Sequence, residues 1–379
     1  MMSRYALRTI DDELEAIGGT GSDRYREKLL ALCSHVPCSG EPPADPRARR
    51  KWAIGGLRKF YEWFPFQNED RTWVRELAPY QEEVWADRWE RVGANGPGDL
   101  ERVRFVIKSQ KIGMSIVHLL ENIHIALSPR GWGREIIIAA QNQVKAEEHL
   151  KNLKDMIRRS PWAPMLIEQA PRTRKGRLRR DALSRSNVAM LVNPDAPDSR
   201  PTRIWAVGIT SHSLLLSNTA VEHIHLSDVT IAASTPTELD RSLAQVRSRI
   251  VKSRGTMVIE TPAGGPNGYV YRQYREACRA LTAAHGTLFR KLPEGEACDT
   301  EWGRFRRLPW RVAVKAGVLT RDTVERDRHE IGNDYEFARL YEADFLAGAM
   351  VAYPDAVRRH DAAAARVLAS NMSRLPGGE

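Results

Sequence analysis

The sequence predicts an α/β fold, with a mainly parallel central sheet flanked by helices and a helical region ahead of it. Three observations predict it. A strong break, GANGPGD at 93–99, divides the chain, and after it short apolar runs alternate with helical segments, the pattern of strand–helix–strand units. Before the break, 47–92 is rich in Trp and Arg and reads mostly as helix. The length of 379 residues accommodates one large α/β domain with an added small region, or two domains, and 42% hydrophobic with 28% charged residues is a normal globular composition.

Taken in order, residues 1–35 read as helical, SDRYREKLLALCSHV being the clearest amphipathic piece. Pro37, Pro42, Pro43 and Pro46 mark a linker, so 1–46 is expected to be a helical N-terminal segment with a Pro-rich connection. The main domain is expected over 47–350. Its predicted strands are 103–107, 135–140, 187–192, 203–208, 222–226, 256–260 and a further candidate at 287–291. Its predicted helices are 114–127, 143–159, 237–252, 268–283 and 322–340. PRTRKGRLRR (171–180) reads as a basic loop between two elements. The remainder, 351–379, is expected to be an Ala- and Arg-rich helical tail.

The formal net charge is +10, from 58 Lys and Arg against 48 Asp and Glu, and a basic balance favours a polyanionic partner such as nucleic acid. Cys33, Cys38, Cys278 and Cys298 form no C-x-x-C pair, and so few cysteines point to a reducing compartment. The first residues carry Arg4, Arg8, Asp11 and Asp12 and no apolar signal core. No run reaches the roughly 18 apolar residues that a span requires. A soluble protein of the cytoplasm is expected, with no membrane partner.

Four segments carry chemistry. In VRFVIKSQKIGMS (103–115) an apolar strand enters a loop that opens a helix near Met114, the context of a phosphate-binding loop. Loop amides would bind phosphate, and Ser115 would stand where a hydroxyl ligates Mg2+. Without other signals, the same residues make an ordinary strand, Gly turn and helix. EHIHLSDV (222–229) delivers Asp228 to a strand's C-terminal end, the sheet edge at which open α/β folds bind ligands. A carboxylate there can hold Mg2+ beside a phosphate loop, or be simply solvated. His223 and His225 share one face of that strand and read as packed or surface histidines rather than metal ligands. GTMVIETPAGGPNGYVYRQY (255–274) is a strand with a polar tip, a Gly-rich turn and an aromatic helix; the tip could sense a γ-phosphate, or the glycines could serve the turn alone. LAPYQEEVW (77–85) places Gln81 at a Pro-Tyr helix entry, where its amide could read the edge of adenine or face solvent.

In this order, the four segments resemble the ATPase domain of the large terminase subunits of tailed phages, over roughly 75–350. Residues 77–81 resemble the adenine-contacting glutamine motif. Residues 108–115 resemble the K-S-x-x-x-G-x-S form of the phosphate loop, with the lysine at the loop's start. Residues 224–229 resemble the acid-bearing strand, and 257–268 the coupling motif. FARLYEADF (337–345) resembles the segment that closes the domain. The resemblance implies an ASCE-type P-loop fold that binds ATP and Mg2+ and moves double-stranded DNA as a homo-oligomeric ring. Portal and small terminase subunits would be its partners. It implies nucleotide contacts at Gln81, Lys108, Ser109, Lys111, Gly113 and Ser115. Catalytic roles fall on Lys108, Asp228 and the coupling residue Thr261, and the metal would lie between Ser115 and Asp228. Arg177, Arg179 and Arg180 of the basic loop are the expected DNA contacts.

Three departures accompany it. Met114 stands where the usual loop lysine would be. The acid strand reads Ser227-Asp228 rather than Asp-Glu, which leaves no evident catalytic glutamate: Glu222 is at the wrong end of its strand and Glu238 is distant. The 34 residues after Phe345 (379 less 345) are too few for an RNase H-like nuclease, which would then sit on another chain or be lost. Two other readings stay open: a catalytically impaired terminase-like DNA-binding or scaffold protein, and a superfamily 2 helicase-like ATPase.

Overall fold

The computed structural model describes residues 36–38, 41–67, 73–74, 76–90, 102–128, 131, 133–160, 163, 166, 186–191, 200–209, 221–231, 250, 255–264, 268–300 and 303–345. The expected helices at 1–35 and 351–379, nearly all of the one at 237–252, and the basic loop at 171–180 lie outside the described residues.

Two helices precede the sheet. α1 (Pro46–Trp63) starts on Asp45, whose carboxylate accepts from the Ala48 amide, with Pro46 supplying a fixed φ at the first turn. α2 (Pro79–Ala86) again opens on proline and runs into a 3-10 turn at Asp87–Trp89. The 47–92 stretch is thus helical in two pieces. Between them, Gln67 and Trp73 form an isolated antiparallel bridge.

Eight strands form one sheet: β1 (Arg102–Lys108), β2 (Glu135–Ala140), β3 (Val188–Leu191), β4 (Thr202–Gly208), β5 (Val221–Ser227), β6 (Thr256–Thr261), β7 (Ala297–Thr300) and β8 (Gly303–Leu308). The spatial order is β3-β4-β2-β5-β6-β1-β8-β7. The six inner strands run parallel, and the edge strands β3 and β7 run antiparallel to β4 and β8. Strand β6 lies between β1 and β5. Helices α3 (Met114–Leu127) and α4 (Gln143–Arg159) follow β1 and β2. They share one apolar core with α1 and α2, on one face of the sheet. The opposite face packs against α5 (Gly268–His285). No helix among the described residues is long and apolar enough to cross a membrane.

The sequence misread the chain after α5. The strand expected at 287–291 is irregular: the Phe289 amide donates to Thr282 Oγ1 and the Leu292 amide to Tyr274 Oη, so α5 takes the bonds a neighbouring strand would have taken. The strand beside β1 is instead β8, whose sequence GRFRRL reads as surface. Arg306 and Arg307 are nonetheless buried. Arg306 is forked onto Asp87, at 2.8 Å from both Nε and Nη2, and Arg307 donates to the backbone carbonyls of Leu292, Glu342 and Ala343. Charge-assisted bonds make such burial tolerable. The single helix expected at 322–340 is two, α7 (Arg321–Ile331) and α8 (Asp334–Leu340), preceded by an unforeseen α6 (Trp310–Lys315). Gly332, at φ 60°, ends α7 and Asn333 caps α8, so a glycine closing one helix and an asparagine opening the next divide the segment.

Candidate functional site

The site lies at the C-terminal ends of β1, β5 and β6, where the connection after β1 leaves in one direction and β8 joins from the other. Such a switch point is where open α/β sheets bind ligands. The loop after β1 is held by the fold around it. The Ser109 amide donates to Leu308 O at 2.7 Å and the Gln110 amide to Leu340 O at 2.8 Å. Tyr80 Oη donates to Ile112 O at 2.5 Å and Gln81 Nε2 to Gly113 O at 2.9 Å. Lys111 and Gly113 adopt φ 60° and 69°. At Gly113 a Cβ would also stand 2.9 Å from Gln81 Nε2, so conformation and space both call for glycine. No side chain caps α3, leaving the amides of its first turn to face the loop.

On the acid side, β5 ends at Ser227 and the next residue turns sharply. Asp228 has φ 52°, and its amide donates to Glu260 O at 2.8 Å. Its Oδ1 accepts from Lys108 Nζ at 3.1 Å. Lys108 is buried. Burial pulls its ammonium down, but Glu260 and Asp228 outweigh that and leave it above the ordinary lysine value. Between them sits Glu260, fully buried on β6. Its Oε1 accepts from Ser227 Oγ at 2.9 Å and Ser115 Oγ at 3.2 Å, and lies 3.1 Å from His225 Nε2. Its Oε2 has no hydrogen bond and is 3.8 Å from His118 Nε2. Burial pushes the Glu260 carboxyl up, yet Lys108, the His225 bond and His118 together hold it well below the usual carboxylate range.

The structure therefore gathers Lys108, Gly113, Ser115 and Asp228 in one place although 120 positions separate Lys108 from Asp228. It gives the other expected residues different surroundings. Lys111 leaves the site and pairs with Asp327 at 2.8 Å to both carboxylate oxygens; Tyr341 Oη donates to the same carboxylate. Ser109 is buried and donates its hydroxyl to Gln110 O. The Gln81 amide is engaged at both ends, since Oε1 accepts from the Ala78 amide at 2.7 Å while Nε2 holds the loop. Thr261 lies just beyond Glu260 and bonds Thr230 through its hydroxyl at 2.6 Å, linking the tip of β6 to the turn after Asp228. Met114 is buried in the apolar core. Arg177, Arg179 and Arg180 lie outside the described residues.

Glu260 is the residue the sequence reading passed over. The available signal was one acid at the tip of an otherwise apolar strand, TMVIET. His223 and His225 are packed, both fully buried.

No family model matches the chain, and no curated protein does. Among solved structures, a mutant of the large-terminase ATPase domain of Thermus phage P74-26 aligns over 76% of this chain and 98% of its own, at 12% identity and a TM-score of 0.49. The unmutated domain aligns over 71% and 100%, at 13% identity and 0.45. The large terminase of a thermophilic bacteriophage in complex with ADP aligns over 71% of this chain and 54% of its own, at 10% identity and 0.44. Likeness at these values describes a shared arrangement of elements, and the functional reading rests on the site itself.

The donor set fits a nucleotide and its metal. It offers a cation beside a loop whose helix opens without a side-chain cap, as a phosphate requires. A hydroxyl and carboxylates supply hard oxygen ligands, and Mg2+ takes one or two of these and keeps its waters. No group of three or more His, Cys, Asp or Glu forms a metal cage among the described residues.

Proposed function

We propose that this chain is the ATPase of a DNA-packaging motor, hydrolysing ATP to move double-stranded DNA. The observation that supports it most is the pairing of Lys108 with Asp228 across the ends of β1 and β5, with Ser115 and Glu260 beside them. Phosphoryl transfer to water depends on positioning and electrostatics. Lys108 would exchange its carboxylate partner for phosphate oxygens and neutralise their charge. The amides at the start of α3 would bind phosphate with the helix dipole behind them. Ser115 would help hold Mg2+, whose charge would offset that developing on the phosphate. Thr261 would pass the state of the site to the turn it bonds. Gln81 shapes the loop in the geometry seen here; contact with adenine would require its amide to turn.

Motor partners follow from the same reading: a homo-oligomeric ring with portal and small terminase subunits. DNA contact by Arg177, Arg179 and Arg180 would be to backbone phosphate and independent of sequence.

The test is ATP turnover with and without duplex DNA, in the parent and in Lys108→Ala and Lys111→Ala. Lys108→Ala should abolish turnover and Lys111→Ala should weaken it less. Equal effects would sink the assignment of Lys108. A folded parent that binds DNA without hydrolysing ATP would favour the scaffold reading, whose support is the absence of a lysine at position 114.

A further inference from the structure

We propose that the carboxylate that holds the metal is Glu260 on β6, and that Asp228 on β5 is left to pair with Lys108. The assignment rests on the nucleotide-site reading above and departs from the sequence expectation, which gave the metal to Asp228.

In phosphate-loop sites the metal lies between the loop's hydroxyl and the acid that faces it. Here the loop hydroxyl, Ser115 Oγ, bonds Glu260 at 3.2 Å, whereas the recorded partner of Asp228 is Lys108. Strand register shows how the exchange arises. Ser227 of β5 is level with Glu260 of β6. At that level β5 offers only a hydroxyl, and this hydroxyl donates to Glu260 at 2.9 Å. The acid missing from β5 is thus replaced by one reaching across from the neighbouring strand, and glutamate has the longer side chain that such a reach requires. Asp228 comes one residue later, in a left-handed turn that carries it to Lys108.

Glu260 also has features that a purely structural residue would not need. It is fully buried, it meets three donors through Oε1 alone, and Oε2 is left without a hydrogen bond. An unbonded buried carboxylate oxygen is costly. A glutamine could satisfy Ser115, Ser227 and His225 through one carbonyl oxygen without a charge, so keeping the charge implies a cationic partner. Lys108 is one such partner, and a divalent ion at Ser115 would be a second.

The experiment measures binding of the non-hydrolysable analogue AMP-PNP to the full chain by calorimetry, with Mg2+ and with EDTA. It is supplemented by Mn2+ electron paramagnetic resonance to count bound metal. The parent should bind more tightly with Mg2+. Glu260→Gln should lose about tenfold of that enhancement, about 1.4 kcal/mol, and its bound-Mn2+ signal, while its affinity in EDTA stays near the parent's. Ser115→Ala should behave alike. Asp228→Asn should keep the enhancement and the Mn2+ signal. If Glu260→Gln does not fold, Glu260→Asp retains charge with a shorter reach, and should show a weakened but present enhancement. Enhancement unchanged in Glu260→Gln and Glu260→Asp, or lost in Asp228→Asn, would overturn the assignment. A folded parent that binds no analogue under either condition would overturn the nucleotide reading and this assignment with it, an outcome readily told from the others.

Discussion

The same three strands present opposite chemistries on their two faces. Toward α5, strands β1, β5 and β6 place Phe105, Ile107, Ile224, Leu226, Met257 and Ile259 in one apolar core. Toward α3 they place Arg104, His223, His225, Ser227 and Glu260, all buried. There Arg104 pairs with Glu121, whose carboxylate is also 3.3 Å from Arg88 and 3.2 Å from His118. Asn122 lies 3.2 Å from His225, and His225 reaches Glu260. The α5 face is held by volume; the α3 face combines packing at Val106 and Val258 with pairing. The difference teaches that the candidate site is anchored from beneath: a row of polar contacts runs from Arg104 through Glu121 and His118 toward Glu260 and the loop at 108–115. Close packing tolerates swaps of similar volume. A buried polar row does not tolerate the loss of one partner.

The largest effect should come from breaking the row at its charged end. Glu121→Ala leaves Arg104 buried without its counter-ion and should cost about 3–5 kcal/mol in urea unfolding. A cost under about 1 kcal/mol would mean that the pair behaves like an exposed one and that the two faces do not differ as described. Leu226→Ala, one position from His225 on the opposite face, should cost about 2–5 kcal/mol through the cavity it leaves. The two should separate on AMP-PNP binding by the folded protein: Glu121→Ala should weaken it and Leu226→Ala should not.

The polar face should also carry a pH dependence. His223 is held down to about 3, against 6.5 for the free ring. Burial is the main cause, Arg104, Arg88 and His225 add to it, and Glu121 opposes it. Between these values the unfolded chain binds a proton that the folded chain refuses. Stability is therefore fully present above 6.5 and falls as pH drops through the window, by about 1.4 kcal/mol per pH unit for this ring. Urea unfolding near pH 7 and near pH 5 checks it; His223→Asn should shrink the difference between the two. The smallest effect belongs to Thr256→Val. It removes the hydroxyl 2.6 Å from His223 Nδ1 and should cost about 1 kcal/mol, with AMP-PNP binding unchanged. A loss of binding there would extend the row to the strand's far end.

Much of this was legible in the sequence. Helices 114–127 and 143–159 and the strand at 135–140 stand where their periodicity and apolar runs put them. The ends of β1 and β5 were legible as candidate edges because Lys108 and Asp228 each follow an apolar run, and the structure brings the two together. β8 was not, because its three arginines are a surface signal until Asp87 and the carbonyls that pair them are in place. Glu260 was missed for a related reason: an acid at a strand tip is usually solvated, and only the strand order puts β6 between β1 and β5.

The sequence by itself determined the α/β class, the order of the described strands and helices from β1 to α5, and the loop at 108–115. These depend on local periodicity, on glycine's freedom at φ 69° and on runs of apolar residues, all of which act over a few neighbours. Only the tertiary structure decided which acid each lysine meets, since Lys108 turns to Asp228 and Lys111 to Asp327, 216 positions away. It likewise decided that Ser115 meets Glu260 rather than Asp228. Partner choice between charged and polar side chains depends on strand order and register, and a parallel sheet sets both through crossovers that bring together residues far apart in the chain.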